Sequence, residues 1–283
     1  MSSAQILTFS CPDRTGIVHA VTGVLAERGG NISEAAQFND ADTGHFFMRV
    51  QFALPDPAVL PALRESVGAL AARLQMKWAL HDARQPMRTV LMVSREGHCL
   101  NDLLFRCKSG LVPVDIRAVV SNHRDFYQLA ASYNIAFHHI PVAAATKAQA
   151  EARLLELVAQ EEAELVVLAR YMQVLSDDLC RALEGRAINI HHSFLPSFKG
   201  ARPYHQAHDR GVKIIGATAH YVTGDLDEGP IIEQDIARVD HACDPQQLTA
   251  IGRDVESAVL ARAVTWHANH RVLLNGHKTV VFR

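Results

Sequence analysis

A two-part α/β protein, a βαββαβ unit followed by a doubly wound parallel sheet, is the fold class the sequence predicts, and three observations predict it. The chain has 283 residues, more than the roughly 100 to 200 of one ordinary domain. Residues 4–82 carry strand and helix patterns in the order βαββαβ. From Gln85-Pro86 onward, short runs of β-branched and aliphatic residues alternate with amphipathic helices, as buried parallel strands and their crossovers require.

Residues 4–10 read as a strand. The turn Cys11-Pro12-Asp13-Arg14-Thr15-Gly16 leads into a helix over 17–28, where Ile17, Val18, Val21, Val24 and Leu25 form one apolar stripe. Gly29-Gly30 ends it. Strands over 31–39 and 45–52 flank the turn-rich 40–44, which suits a hairpin. Residues 60–74 are helical, and 77–81 return as a strand. In the second part 89–93, 114–120, 136–137, 165–168, 187–190 and 216–223 read as strands. Helices cover 101–108, 125–133, 147–160 and 177–183, and a long helix over 245–269 precedes a strand-like tail from Arg271. The change of texture divides the chain into domains 1–84 and 85–283.

Composition excludes several function classes. Apolar residues make up 48% and charged residues 20%, the balance of a folded globular protein. With 28 basic and 30 acidic residues the formal charge is -2, so no global field attracts nucleic acid and no Lys/Arg block suits a membrane surface. The five cysteines are odd in number, scattered and never C-x-x-C; a reducing, cytoplasmic setting is expected. Asp13, Arg14 and His19 interrupt the first residues as no secretory leader allows. No apolar run reaches the roughly 18 to 20 residues of a membrane span. His138-His139, His191-His192 and the His205/His208 pair invite a metal, but no H-E-x-x-H or cysteine pair completes a ligand set. No metal and no permanently bound cofactor are expected.

In such sheets, ligands gather beyond the carboxyl ends of the strands. The strand over 187–190 runs directly into Ile188-Asn189-Ile190-His191-His192-Ser193. Side chains alternate along a strand, so Asn189 and His191 share one face. The strand over 216–223 runs into Gly224-Asp225-Leu226-Asp227-Glu228-Gly229-Pro230, a loop able to bring a carboxylate to that pair. Two donors for an oxyanion and a carboxylate or imidazole to move protons would make an amide carbon attackable. Singly, each residue has an ordinary alternative: Asn189 as a strand-end backbone partner, His191 as a packed histidine, Asp227 as turn chemistry.

Asn189-Ile190-His191 followed by Ser193-Phe194-Leu195-Pro196-Ser197-Phe198-Lys199-Gly200, then His220 and Leu226-Asp227-x-Gly229-Pro230, resembles the signature of the folate-dependent formyltransferase superfamily. The resemblance runs from about residue 89 to the end and implies a Rossmann-like parallel-sheet domain of the formyltransferase type. It implies that Asn189, His191 and Asp227 are catalytic. In the stretch that begins Leu168-Ala169-Arg170, it implies that Tyr171, Met172, Gln173, Val174 and Leu175 hold a folate pterin, with His220 and Gly229 also at the substrate. Residues 4–82, with Pro12-Asp13-Arg14-Thr15-Gly16-Ile17 before the first helix and Gly29-Gly30-Asn31-Ile32 after it, resemble a ferredoxin-like ACT domain. That resemblance implies an effector site at Asp13, Gly16, Asn31 and Ile32 for a small amino acid such as glycine or methionine, in a homo-oligomer, a dimer or tetramer. A purely oligomerising role is the alternative.

The acceptor side decides the reaction. In the family's ribonucleotide-acting transferases a Gly-Ser-Asn turn after the first strand cradles a phosphate. Here Ser94-Arg95-Glu96-Gly97-His98-Cys99-Leu100-Asn101 stands there. Its bulky residues and Glu96 disfavour a phosphate, and no basic appendage suits a tRNA. The simplest nucleophile is water, with His98, Cys99 and His192 as candidates to hold it; His192 replaces the proline usual in the transferases. Hydrolysis of 10-formyltetrahydrofolate to tetrahydrofolate and formate is the expected reaction. Transfer to an amine and a non-catalytic folate or amino-acid sensor are the alternatives. In the expected mechanism Asp227, with a raised pKa, deprotonates water while Asn189 and His191 stabilise the oxyanion.

Overall fold

The computed structural model describes residues 3–193, 195 and 203–283. Phe194 and 196–202, which hold most of the Ser-Phe-Leu-Pro-Ser-Phe-Lys-Gly motif, lie outside the described residues. The chain divides into two units, Met1–Gln85 with Asn269–Asn275 and Thr279–Arg283, and Pro86–Ala268 with Gly276–Lys278.

The first unit contains β1 (Ser3–Pro12), α1 (Ile17–Glu27), β2 (Asn31–Asp40), β3 (His45–Leu54), α2 (Leu60–Leu74) and β4 (Lys77–Asp82). Its sheet has the order β2-β3-β1-β4, all antiparallel, as the βαββαβ pattern predicts. Ile17, Val21 and Leu25, four residues apart, are the buried stripe of α1. They meet Leu63, Val67, Leu70 and Leu74 of α2 over Phe46, Met48, Val50, Phe52 and Leu54 of β3. Those β3 positions alternate, so Phe47 and Arg49 face the other side of the sheet.

That other side is where sequence reading and structure part. The tail, expected in the second domain, belongs to the first unit. Val280 and Phe282 cluster with Phe47. Arg49, only 1% exposed, pairs with Glu34 at 3.1 Å and donates Nε to the carbonyl of Asn269 at 3.2 Å. Arg271 donates to Glu34 at 2.8 and 3.0 Å, and Asn275 Nδ2 to Asp40 at 2.6 Å. A strand face that buries an arginine needs such partners, and residues so distant in sequence leave no local signature of it. Deleting residues 269–283 is expected to destabilise the first unit by about 3–5 kcal/mol, because it strips Val280 and Phe282 from Phe47, each buried apolar side chain contributing about 1.5–3 kcal/mol. Urea unfolding of the shortened chain checks this, and an unchanged midpoint would refute it.

The second unit runs β5 (Met87–Val93), α3 (His98–Lys108), β6 (Val114–Ser121), α4 (Tyr127–Ser132), β7 (Ala136–His139), α5 (Lys147–Gln160), β8 (Leu165–Leu168), α6 (Asp177–Ala182), β9 (Ala187–His191), α7 (Pro203–Asp209), β10 (Ile214–Tyr221), β11 (Ile231–Arg238) and α8 (Pro245–Ala268). The tail hairpin supplies β12 (Val272–Asn275) and β13 (Lys278–Val281). The seven-stranded sheet has the order β11-β10-β9-β8-β5-β6-β7. Strands β9 to β7 are mutually parallel, but β10 is antiparallel to both β9 and β11. The sheet is thus mostly, not wholly, parallel. A right-handed crossover needs a dozen or more residues, and the connection 222–230 from β10 to β11 is too short for one. Sequence reading also passed over α7 and β11.

Chain order reverses between β5 and β8, the switch point where such sheets open a crevice. The loops beyond those two strands are tied together: Ser94 N donates to Arg170 O at 3.1 Å, and Ser94 Oγ accepts from Met172 N at 2.9 Å. Among the described residues no helix is long and apolar enough to cross a membrane.

Candidate active site

A cleft of about 220 Å³ opens beyond the carboxyl ends of β8 and β9. One wall is Tyr171, Met172, Gln173, Val174 and Leu175. Residues 222–227 of the loop after β10 also line the cleft, and Asn189, His191, His192, His220 and Asp227 lie along it. Met172, Val174 and Leu226 are large apolar side chains 57%, 57% and 60% exposed around it, an apolar mouth that a flat ring system would cover.

The polar cluster comes from strand register. Asn189 on β9 is paired across the ladder with His220 on β10, and Asn189 Nδ2 lies 3.4 Å from His220 Nε2. A bulge between Ala219 and His220 turns the second strand locally. His220 Nδ1 is 2.9 Å from the carbonyl of Tyr221; a carbonyl only accepts, so Nδ1 carries a proton. The loop after β10 doubles back, closed by Tyr221 N donating to Pro230 O at 2.9 Å. This return lays Asp227 across both histidines, Oδ2 at 3.1 Å from His191 Nδ1 and Oδ1 at 3.6 Å from His220 Nε2. Asp227 holds φ 58°, left-handed backbone that Asp tolerates better than most residues.

These contacts overturn one expectation. Burial alone would raise the Asp227 pKa, but hydrogen bonds from His191 and His220 and their charge hold it well below the usual carboxylate range. Asp227 is an ionised partner of histidine, not a carboxyl poised near neutrality. With Nδ1 facing that carboxylate, His191 Nε2 is buried without a partner among the described residues, and its ring lines the cleft.

The three residues expected to hold water are not brought together. His192 lines the cleft, stacked on His191 with centroids 4.6 Å apart. His98 lies instead in a separate open depression with Arg95, Phe126 and an Arg253–Glu96 ion pair, so Glu96 is not a bare charge. Cys99 is fully buried, with burial raising its pKa, an inert thiol. Gly229 does not line the cleft; a Cβ there would sit 1.7 Å from Tyr221 O and 3.2 Å from His220 Nδ1, so this glycine permits the loop's close return.

Sequence reading missed Glu256. It is 1% exposed and accepts from Tyr204 at 2.6 Å and His98 at 2.8 Å, with Arg170 Nε at 3.3 Å. Its signal was available: Leu248, Gly252, Glu256 and Leu260 are buried at four-residue spacing on α8, so a lone carboxylate interrupts an apolar stripe. His98, Cys99 and Glu256 also place three ligand-type atoms within 4.8 Å of one another, a trio absent from the histidine pairs considered above. Its carboxylate is already committed to two donors and faced by a guanidinium.

In the first unit, Gly16 caps the start of α1 and Asn31 and Ile32 begin β2 after its end. Eleven helical residues put them about 16 Å apart at 1.5 Å per residue. One copy does not join the four expected effector residues. Asp13 Oδ2 is taken by Asn39 Nδ2 at 2.7 Å.

A mostly parallel sheet with an Asn-His-Asp cluster at its switch-point cleft defines a class of formyl-group enzymes, and comparisons agree. Residues 87–264 match the formyl transferase family, and residues 5–68 match the ACT domain. The chain is 54% identical over 280 residues to a formyltetrahydrofolate deformylase of Corynebacterium sp. (strain P-1), covering 99% of this chain and 98% of that one. It is 46% identical over 281 residues to the Bacillus subtilis (strain 168) protein of the same name, covering 98% and 93%. The crystal structure of formyltetrahydrofolate deformylase from Burkholderia mallei superposes with a TM-score of 0.96 at 53% identity, covering 99% of this chain and 100% of that one. A glycinamide ribonucleotide transformylase from Symbiobacterium toebii gives 0.66 at 29% identity over 70% of this chain and 95% of its own. The chain belongs to the formyl transferase family and groups with its formyltetrahydrofolate deformylases.

Proposed function

We propose that the protein hydrolyses 10-formyltetrahydrofolate to tetrahydrofolate and formate. The observation that carries this reading is the Asn189, His191, His220 and Asp227 cluster facing one apolar-mouthed cleft. Likeness to deformylases along the whole chain supports it. The apolar wall of Tyr171 to Leu175 receives the folate ring. Asp227, ionised, holds His191 by Nδ1–H and leaves Nε2 for the reaction. His192 helps to hold the attacking water. Its oxygen adds to the formyl carbon as its proton passes to His191 Nε2. Asn189 Nδ2 donates to the oxyanion, a contribution of about 3 kcal/mol. The carbon–nitrogen bond then breaks as the His191 proton moves to the leaving nitrogen, so no covalent intermediate forms. The test is formate release from purified protein given 10-formyltetrahydrofolate without an amine. A transferase would need the amine, and a sensor would do neither.

The first unit senses a small amino acid, glycine or methionine. One copy separates Asp13 and Gly16 from Asn31 and Ile32, and among the described residues β2 is an edge strand of its sheet. The site is completed between copies in a homodimer or tetramer. Asn31→Ala is expected to abolish the response of turnover to that amino acid while basal turnover stays unchanged. An undiminished response, or a monomer by sedimentation, would refute the assignment.

A further inference from the structure

Arg170 holds φ 67°, a backbone region that favours glycine. A long side chain persists there only where its surroundings over-determine it. Here they do. Its Nε lies 3.3 Å from Glu256 Oε2, and its Nη1 donates to His192 Nδ1 at 3.0 Å. Glu256 in turn is fixed by Tyr204 and His98. Burial would raise its pKa, but these donors and the Arg170 charge hold it below the ordinary carboxylate value.

A guanidinium has no lone pair to offer, so His192 Nδ1 accepts and its proton sits on Nε2. That Nε2–H has no partner among the described residues, in a ring that lines the cleft and stacks on His191. The groups facing His192 are Arg170, His191, Glu256 and Asp227; burial first, then Arg170 and His191, push its pKa down to about 4, against weaker opposing pulls from the two carboxylates.

We propose that Arg170 and Glu256 are positioning residues: Glu256 anchors Arg170, and Arg170 locks His192 in the tautomer that presents Nε2–H to the attacking water. The inference rests on the deformylase reading and adds to it the origin of the preference for water. A donor held at a fixed point engages one lone pair of the water, leaving another for the formyl carbon while the proton goes to His191 Nε2. A histidine free to flip or to protonate would not hold water in that pose.

Arg170→Gly is the decisive variant, because glycine adopts this backbone without strain. Full-length protein labelled with ¹⁵N-histidine is titrated by NMR, and formate release is measured on the same samples. In the wild type, His192 is expected as the Nε2–H tautomer, neutral down to about its low midpoint. In Arg170→Gly the midpoint moves up toward the ordinary histidine value. The same variant should lose about 10- to 100-fold in kcat, as misplacing a reacting group does, with KM within about threefold. If Glu256 acts through Arg170, the Arg170→Gly/Glu256→Gln double variant should be no slower than Arg170→Gly alone. An unmoved His192 titration, an Nδ1–H tautomer in the wild type, or kcat retained within threefold would overturn the proposal. No formate release by the wild type would instead refute the deformylase reading, with the tautomer still read from the spectrum.

Discussion

Asp227→Asn is expected to lower formate release by about 10³- to 10⁴-fold while folate binding changes by less than threefold. The magnitude reflects the loss of an ionised partner behind a reacting imidazole. Asp227 Oδ2 sits 3.1 Å from His191 Nδ1. In the proposed mechanism the carboxylate stabilises the imidazolium that forms as His191 takes the water proton, and its contact with Nδ1 turns the other nitrogen to the cleft. An amide of the same shape can accept the Nδ1–H bond but supplies no charge, and its NH₂ group can turn the imidazole to the wrong tautomer. Binding is expected to be spared because the cleft wall of Tyr171 to Leu175, the proposed seat of the folate ring, is left unchanged. The depressed pKa of Asp227 has a second consequence, and its sign is fixed. A carboxylate more acidic when folded stabilises the fold above its unfolded pKa of about 3.9 and loses that contribution as pH falls. The melting gap between wild type and variant should therefore be full at pH 7 and shrink below about pH 4. Single-turnover formate release and thermal melts check both points; turnover within tenfold of wild type would remove Asp227 from the mechanism.

Gly229→Ala is expected to have the next largest effect, about 10²-fold or more in turnover together with a lower melting temperature. The added Cβ would lie 1.7 Å from the carbonyl oxygen of Tyr221 and 2.9 Å from its carbon. Both are backbone atoms and cannot swing aside. The loop must move outward, breaking the Tyr221 N to Pro230 O bond at 2.9 Å and carrying Asp227 from the two histidines. A displacement of about 1 Å at a reacting constellation is enough for a loss of this size. Gly224, in the same loop, would meet only Asp177 Oδ1 at 3.2 Å, the end of an exposed side chain, so Gly224→Ala is the control with little effect. Equal losses in the two variants would show that the loop responds to any added methyl and not to this contact.

The fold's local periodicities could be read from the sequence because helix stripes and strand runs are encoded by near neighbours. The stripe of Ile17, Val21 and Leu25 and the β-branched runs at β5, β6 and β8 announced their elements. The alternation of Asn189 and His191 announced one face of a strand. Long-range pairing was less legible. Arg49 meets the carbonyl of Asn269, and nothing around either residue says so; the tail was accordingly placed with the wrong unit. The antiparallel pairing of β10 with β11 follows from a connection too short for a crossover, a length argument available but not applied. For Asp227 the residue was legible and its electrostatics were not. Apolar surroundings suggest a raised pKa, and only the placement of both His191 and His220 on its oxygens reverses the sign. Glu256 was missed for a different reason: its place in the stripe of Leu248, Gly252 and Leu260 was a local signal, but the partners that bury it, Tyr204, His98 and Arg170, lie far away in sequence.

The most direct test of the central claim is product analysis with the purified chain, 10-formyltetrahydrofolate and no amine acceptor. One formate should appear for each tetrahydrofolate formed, and added amines should neither speed the reaction nor acquire the formyl group. Tetrahydrofolate appearing only when an amine is present, with the formyl group recovered on that amine, would contradict the account.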